Sequence, residues 1–233
     1  METTDVRRLG TCTLEPADTL GPAALAGLRR IYEEGFPPHQ RASFDSVTTG
    51  RADGELALAL VSGGQPHGFA MLRPLGGTGW IFLRYFVVER GQRGQGLGGS
   101  LWQLLTARLR EQGFTLLVFD VEDPDEQACG PGQSQVRFRR IGFYQRNGAT
   151  LLPVNGYRAP HSSPESSSWS PMLLMTAPLA AGPLATGPAA LDPSRATEVA
   201  AAVYRFRWEL EPEDFPAIGL LTGDRARSRW TRE

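Results

Sequence analysis

The stretch Arg93-Gly94-Gln95-Gly96-Leu97-Gly98-Gly99 constrains this chain more than any other. A β-type run, Trp80 to Val88, precedes it, and the pattern that follows is helical, with Leu97, Leu101, Leu104, Leu105 and Leu109 at helical spacing. Gly113 is a natural stop for that helix. Glycines at a strand-to-helix turn admit left-handed backbone, so successive N–H groups turn outward into an anion-binding nest. The helix start adds N–H groups without intrahelical acceptors and the positive end of the dipole. The turn therefore suits a pyrophosphate. Arg90 and Arg93 beside it, and the later Arg137, Arg139 and Arg140, are candidates for further phosphate contacts.

Around this turn the pattern predicts a strand near Gly10 to Leu14 and a helix from Pro22 to Glu34. Leu25, Leu28, Ile31 and Tyr32 lie on one face of that helix. A second short helix follows the Phe36-Pro37-Pro38 break. Glu55 to Val61 alternates, Ser62 to Pro66 is a turn, and His67 to Leu72 returns, so the first half reads as an antiparallel meander that ends with Trp80 to Val88. Phe114 to Val121 is nearly all apolar, as a strand buried on both faces would be. Ser134 to Asn147 reads as helix, Ala149 to Leu152 as a short strand and Pro171 to Thr176 as the last strand. Residues 155–170 are rich in Ser and Pro and read as a surface loop. The fold class is α/β: a mixed, mostly antiparallel sheet flanked by helices. Residues 1–177 form the main domain, 178–193 an Ala/Gly/Pro linker, and 194–233 a helical C-terminal extension. Its helix runs from Ser194 to Leu210, with Val199, Val203, Tyr204 and Trp208 on one side.

Composition closes off several function classes. All 24 basic residues are arginine, so the lysine that a Walker-type phosphate loop requires is lacking. A net charge of -1 gives no footprint for nucleic acid or an anionic membrane. Two cysteines in 233 residues make no disulfide scaffold, and with a polar N-terminus this points to the cytoplasm. Three scattered histidines and two distant cysteines make no zinc spacing, Cys129 has no neighbouring histidine, and Ser100 lacks a Gly-x-Ser-x-Gly elbow.

Two phosphate-binding readings compete for the glycine turn. Gly94-x-Gly96-x-x-Gly99 satisfies the dinucleotide fingerprint, with Asp120 or Glu122 about twenty residues on, which would make the chain an NAD- or NADP-dependent oxidoreductase. In that motif the first glycine follows its strand almost at once, whereas here Glu89 to Arg93 intervene. The spacing Arg93-x-x-Gly96-x-Gly98 instead resembles the acyl-CoA-binding motif of the GNAT superfamily of N-acetyltransferases. Tyr85-Phe86-Val87-Val88 resembles that family's splayed strand, and Phe143-Tyr144-Gln145-Arg146-Asn147-Gly148-Ala149 its Phe-Tyr-x-x-x-Gly-Phe signature, with Ala149 in place of the usual aromatic.

The resemblance implies acetyl-CoA as co-substrate, no metal, and transfer of the acetyl group to an amine by direct attack in a ternary complex. It places Phe86, Val87, Val88 and Arg93 through Gly99 (Gly94, Gln95, Gly96, Leu97 and Gly98 between) against the co-substrate. It also places an oxyanion-binding N–H near Val87 and Val88. Tyr144 is the candidate acid for the departing thiolate. For the base, Glu33, Glu34, Asp120, Glu122 and Asp123 are candidates, and Glu122 is preferred from the alternation after Phe119 and Val121. The partner implied is a small-molecule or peptide amine acceptor, with no nucleic acid or membrane, and a homodimer is left open. A CoA-binding module without catalysis is the remaining alternative.

Overall fold

Strand β2 (Leu56–Ser62) is covered on both faces, although its alternating leucines suggest one buried side. Ala57, Ala59 and Val61 join the core beneath helices α1 (Pro22–Gly35) and α2 (Phe44–Thr48), while Leu60 belongs to a second cluster with Leu97 and Leu101 of α3 (Leu97–Glu111). The small alanines let helices sit close over the first face. The computed structural model describes residues 12–49, 54–126, 130–160, 169–179 and 193–221. The chain divides into two compact units, residues 1–72 with 85–105, and residues 73–84 with 106–233.

In the first unit β1 (Thr13–Pro16) pairs antiparallel with β2, and β2 with β3 (Gln65–Pro74). The second half of β4 (Trp80–Val88) belongs here as well. Helix α1 starts on Pro22 at its first turn, where the missing N–H is no loss. It buries Leu28, Ile31 and Tyr32. Helix α2 is capped by Ser43, whose Oγ accepts from Ser46 N at 3.2 Å. Tyr32 meets Phe36, Phe44, Phe69 and Tyr85 with ring centroids 5.1–5.8 Å apart. Burial of each such ring contributes about 1.5–3 kcal/mol.

In the second unit the first half of β4 runs parallel to β5 (Leu116–Glu122), in register from Trp80↔Leu116 to Phe82↔Val118 and no further. Antiparallel pairings follow: β5 with β9 (Trp169–Pro178), β6 (Thr150–Leu151) and β8 (Arg158–Pro160) with β9, and β7 (Val154–Asn155) with β10 (Gly219–Leu220). Helices α4 (Pro131–Arg146) and α5 (Pro193–Ala202) complete it. Ala196, Val199, Ala200, Val203 and Tyr204 are fully buried with Leu75, Trp80, Phe82, Val118 and Leu174. Residues 193–221 thus take part in this unit's core.

Two expectations need correction. Residues 155–170 are not one loop: β7 ends and β8 lies within it, with Arg158↔Pro171 and Pro160↔Trp169 paired across to β9. Residues 161–168 fall outside the described residues. On either side of that stretch, the ladder with β9 and the packing of Trp169 on Tyr204 (6.4 Å between centroids) set the backbone. Nor is 194–210 one helix. The α-helix stops at Ala202, and a wider π-type turn follows over Val203–Arg207, closed by Trp208 N donating to Val203 O at 3.2 Å. Most of the linker (180–192), residues 10 and 11 of the first predicted strand, Cys129, His161 and the tail from 222 lie outside the described residues.

Candidate active site

The glycine turn begins where β4 ends. Glu89 N donates to His67 O at 2.8 Å, and the Glu89 carboxylate meets His67 Nδ1 at 3.0 Å and accepts from Arg30 Nη2 at 3.4 Å. These contacts fix the point from which the chain leaves the strand. A short 3-10 turn, Arg90–Gln92, leads to Arg93, whose Nε donates to Val88 O at 3.4 Å. Gly94 and Gly96 then take φ of +82° and +86°, a region that costs L-residues with a Cβ about 1–2 kcal/mol. Ser100 N donates to Gly96 O at 3.0 Å and closes the first turn of α3. Arg93, Gly94, Gln95 and Gly96 are exposed and Leu97 is buried, so the backbone is presented while the helix is anchored beneath it. Phe86 packs edge-on against Trp102 at 5.9 Å, Val87 is buried under α1, and Val88 packs with Leu97 and Leu101. Their side chains hold the strand while its backbone is the part that could meet a ligand.

The second unit carries the titratable residues. Tyr144 of α4 lies against Phe119 of β5, with centroids 4.4 Å apart, and is 7 % exposed. Burial pushes its phenol up to about 12. The nearby Arg140 charge opposes that shift, and the Asp120 charge adds to it. Glu122 accepts from Arg140 Nη1 at 2.6 Å, and its other oxygen lies 3.5 Å from Arg137 Nη2. Arg137 is further held by Asp123 O at 2.8 Å and Glu126 at 2.7 Å. Two of the five arginines considered for phosphate contact, Arg137 and Arg140, are therefore turned toward carboxylates at and just beyond the end of β5. Glu33 and Glu34 are exposed at the end of α1.

Asp120 has different surroundings. Tyr157 Oη donates to its Oδ2 at 3.1 Å, and Trp208 Nε1 donates to Tyr157 Oη at 3.0 Å. Burial raises the carboxyl above its ordinary value, opposed by the Arg207 charge and the Tyr157 hydrogen bond. The structure thus brings Tyr144 and Asp120 into electrostatic range of one another. Sequence reasoning weighed Asp120 without choosing it and missed Tyr157, Trp208 and Arg207. Tyr157 is 37 residues from Asp120 and Trp208 another 51 on, so no local pattern connects them. Among the described residues, no group of three His, Cys, Asp or Glu is placed to hold a metal ion, and no helix is long and apolar enough to cross a membrane.

The sequence matches the acetyltransferase (GNAT) family over residues 25–148, which includes the glycine turn and the Phe143-Tyr144 segment. No curated protein matches it. Among solved structures, a protein from Bacteroides thetaiotaomicron assigned to the GNAT acetyltransferases aligns with a TM-score of 0.62 at 20% identity, over 85% of this chain and 99% of that one. An aminoglycoside 6'-N-acetyltransferase complexed with coenzyme A aligns at 0.55 and 17% identity, over 73% and 99%. The ribosomal-protein-S18-alanine N-acetyltransferase of Escherichia coli aligns at 0.51 and 18%, over 74% and 97%. At these identities the likeness is one of fold.

Proposed function

This chain belongs to the acetyltransferase (GNAT) family, and on that premise we propose that it transfers the acetyl group of acetyl-CoA to an acceptor amine by direct attack in a ternary complex. The observation that carries the co-substrate is the exposed turn with Gly94 and Gly96 in left-handed conformations ahead of α3. Arg93, Gly94, Gln95 and Gly96 are exposed, as a pyrophosphate nest requires, and the Arg93 side chain folds back to Val88. Gly99 separates this reading from the dinucleotide one. In that motif the third glycine allows close helix–strand packing, whereas a Cβ added at Gly99 would meet no atom within 4 Å.

When bound, acetyl-CoA supplies an acyl group already activated as a thioester. The chain's own residues supply the rest. A backbone N–H near Val87 and Val88 stabilises the developing oxyanion, an effect of about 10²–10³ in rate for one donor. Asp120 fits the base better than Glu122. Its carboxyl is shifted toward the range where it can take a proton from an ammonium, whereas the Glu122 oxygens are engaged by Arg140 and Arg137. Tyr144, with a phenol near 12, keeps its proton at neutral pH and donates a hydrogen bond to the departing sulfur. Full transfer to a thiolate near ~8.5 would run uphill, so its role is hydrogen-bond donation more than proton delivery. The acceptor is a small-molecule or peptide amine.

Thermal unfolding with acetyl-CoA, CoA, NADH and NADPH tests the turn. A ligand at ~100 times its Kd adds about 2.7 kcal/mol of stability. Stabilisation by acetyl-CoA and CoA, followed by amine-dependent thiol release, supports transfer. Stabilisation by a nicotinamide nucleotide alone overturns it, and CoA binding without release from any amine reduces the protein to a binding module.

A further inference from the structure

Tyr157 lies between β7 and β8 and is 2 % exposed, and its single hydroxyl serves two partners. An indole N–H only donates, so Trp208 Nε1 at 3.0 Å occupies a lone pair of the phenol, and the phenolic hydrogen is left for Asp120 Oδ2 at 3.1 Å. The chain of donors therefore has one direction, from Trp208 through Tyr157 to Asp120. The rings that hold it come from the same stretch: Tyr157 packs on Tyr204 at 5.3 Å, Tyr204 on Phe215 at 5.4 Å, and Tyr204 Oη accepts from Arg158 N at 3.1 Å. Trp208 itself stands where it does because the helix opens into the wide turn at Val203–Arg207. Immediately after it Glu209 takes φ +56°, unusual for a residue with a side chain, and Arg73 engages the Glu209 carboxylate. A positive-φ residue directly after the donor of a half-buried hydrogen-bond chain points to more than a packed end of the polypeptide.

We infer that residues 203–210 are a working part of the acceptor site, with Trp208 and Tyr157 as positioning residues that orient Asp120 to receive the proton of the acceptor's ammonium group. This rests on the acetyl-transfer reading and on Asp120 as its base. The chemistry balances simply: the proton passes from the ammonium to the carboxylate, and the freed nitrogen lone pair attacks. The charged and titratable groups around Asp120 are Arg207 from the wide turn, Glu122 on its own strand, Tyr157 from the β7–β8 connection and Tyr144 from α4. Arg207 is held over Trp208 at 4.0 Å and Phe82 at 5.8 Å, so the same turn also sets the compensating charge.

The test compares wild type, Tyr157→Phe, Trp208→Phe and the double variant by two readouts, the acid limb of kcat/KM for an amine and the ¹³C NMR titration of the Asp120 carboxyl in the enzyme without ligands. Loss of the Tyr157 hydroxyl removes a donor to the carboxylate, so both readouts move to higher pH by about one unit, while KM for acetyl-CoA is unchanged. Trp208→Phe moves them the same way by less. The double variant moves no further than Tyr157→Phe, because Trp208 acts only through the phenol. Unmoved readouts in Tyr157→Phe, or an additive shift in the double variant, overturn the inference. Should Tyr157→Phe fail to fold, the shift in Trp208→Phe decides alone. A shifted titration in a wild-type protein that acetylates no amine leaves the hydrogen-bond chain standing and removes the transfer reading instead.

Discussion

The glycine turn of the first unit and the Asp120 cluster of the second are built by opposite means. The turn is local, exposed and made of backbone: seven consecutive residues whose glycines supply the conformation. The cluster is half-buried and made of side chains, with Asp120 on β5, Tyr157 beyond β7, and Arg207 and Trp208 near the C-terminus. A site of the first kind is altered by changing what one position allows its own backbone to do. A site of the second kind is altered by changing what a distant position donates. Within the cluster the contrast sharpens between Asp120 and Glu122, which share a face of β5. One accepts from the neutral Tyr157 phenol with the Arg207 charge nearby, and the other is paired with two arginines.

The largest expected effect separates those two carboxylates. Asp120→Asn lowers kcat/KM for the amine by about 10²–10⁴ in steady-state assays, while Glu122→Gln keeps most of the activity and lowers the melting temperature. Stability moves the other way for Asp120. Its folded pKa is raised, so the stability tied to the neutral form is complete below the ordinary carboxylate range and is lost as the pH rises through the folded value. Asp120→Asn therefore melts above wild type at pH 7, and the gap closes as the scan is repeated toward ~4. Equal activity losses in both variants would erase the distinction.

The glycine turn comes next. Gly96→Ala forces a Cβ into φ +86° and weakens acetyl-CoA binding about tenfold, measured calorimetrically. Gly99→Ala meets open space, gains up to ~1 kcal/mol of helix propensity, and raises the melting temperature of the free protein while weakening binding less. Tyr144→Phe reduces kcat about tenfold with KM for acetyl-CoA unchanged. With the phenol near 12, the wild-type pH profile carries no descending limb from Tyr144 between pH 7 and 10. The smallest effect belongs to Glu209→Gln. The Arg73 partner holds the Glu209 carboxyl below its ordinary value, so its stabilisation is present above that value and is lost as pH falls through the lowered one. The side chain is 68 % exposed, so chemical denaturation should show under about 1 kcal/mol, and less in high salt.

How far each region could be read in advance follows from these differences. The strand Trp80–Val88 and the helix that starts at Leu97 fall where periodicity places them, because their signals lie in adjacent residues. At the two ends of residues 155–170 a loop reading fails, because pairing of Arg158–Pro160 with β9 depends on a strand beginning at Trp169, which composition does not announce. The helix from 194 was read too long for a related reason. Val199, Val203, Tyr204 and Trp208 keep helical spacing, but Trp208 serves Tyr157 through the wide turn and does not continue the apolar stripe. Tyr144 stands out as a candidate through its place in a short motif, whereas Asp120 stays one of five carboxylates because alternation does not tell a hydrogen-bonded acid from an ion-paired one.

The sequence alone determined the strand, the glycine turn and the helix that follows it, since backbone conformation there follows from which residues lack a Cβ. It also determined the class of fold, through runs of apolar residues whose period states which face is buried. Only the tertiary structure decided which carboxylate accepts from a phenol, which is paired with arginines, and that the C-terminal segment reaches the Asp120 cluster at all. Those outcomes depend on burial and on partners from 37 and 51 residues away. Desolvation and Coulomb interactions act through space, and a linear pattern carries no distances.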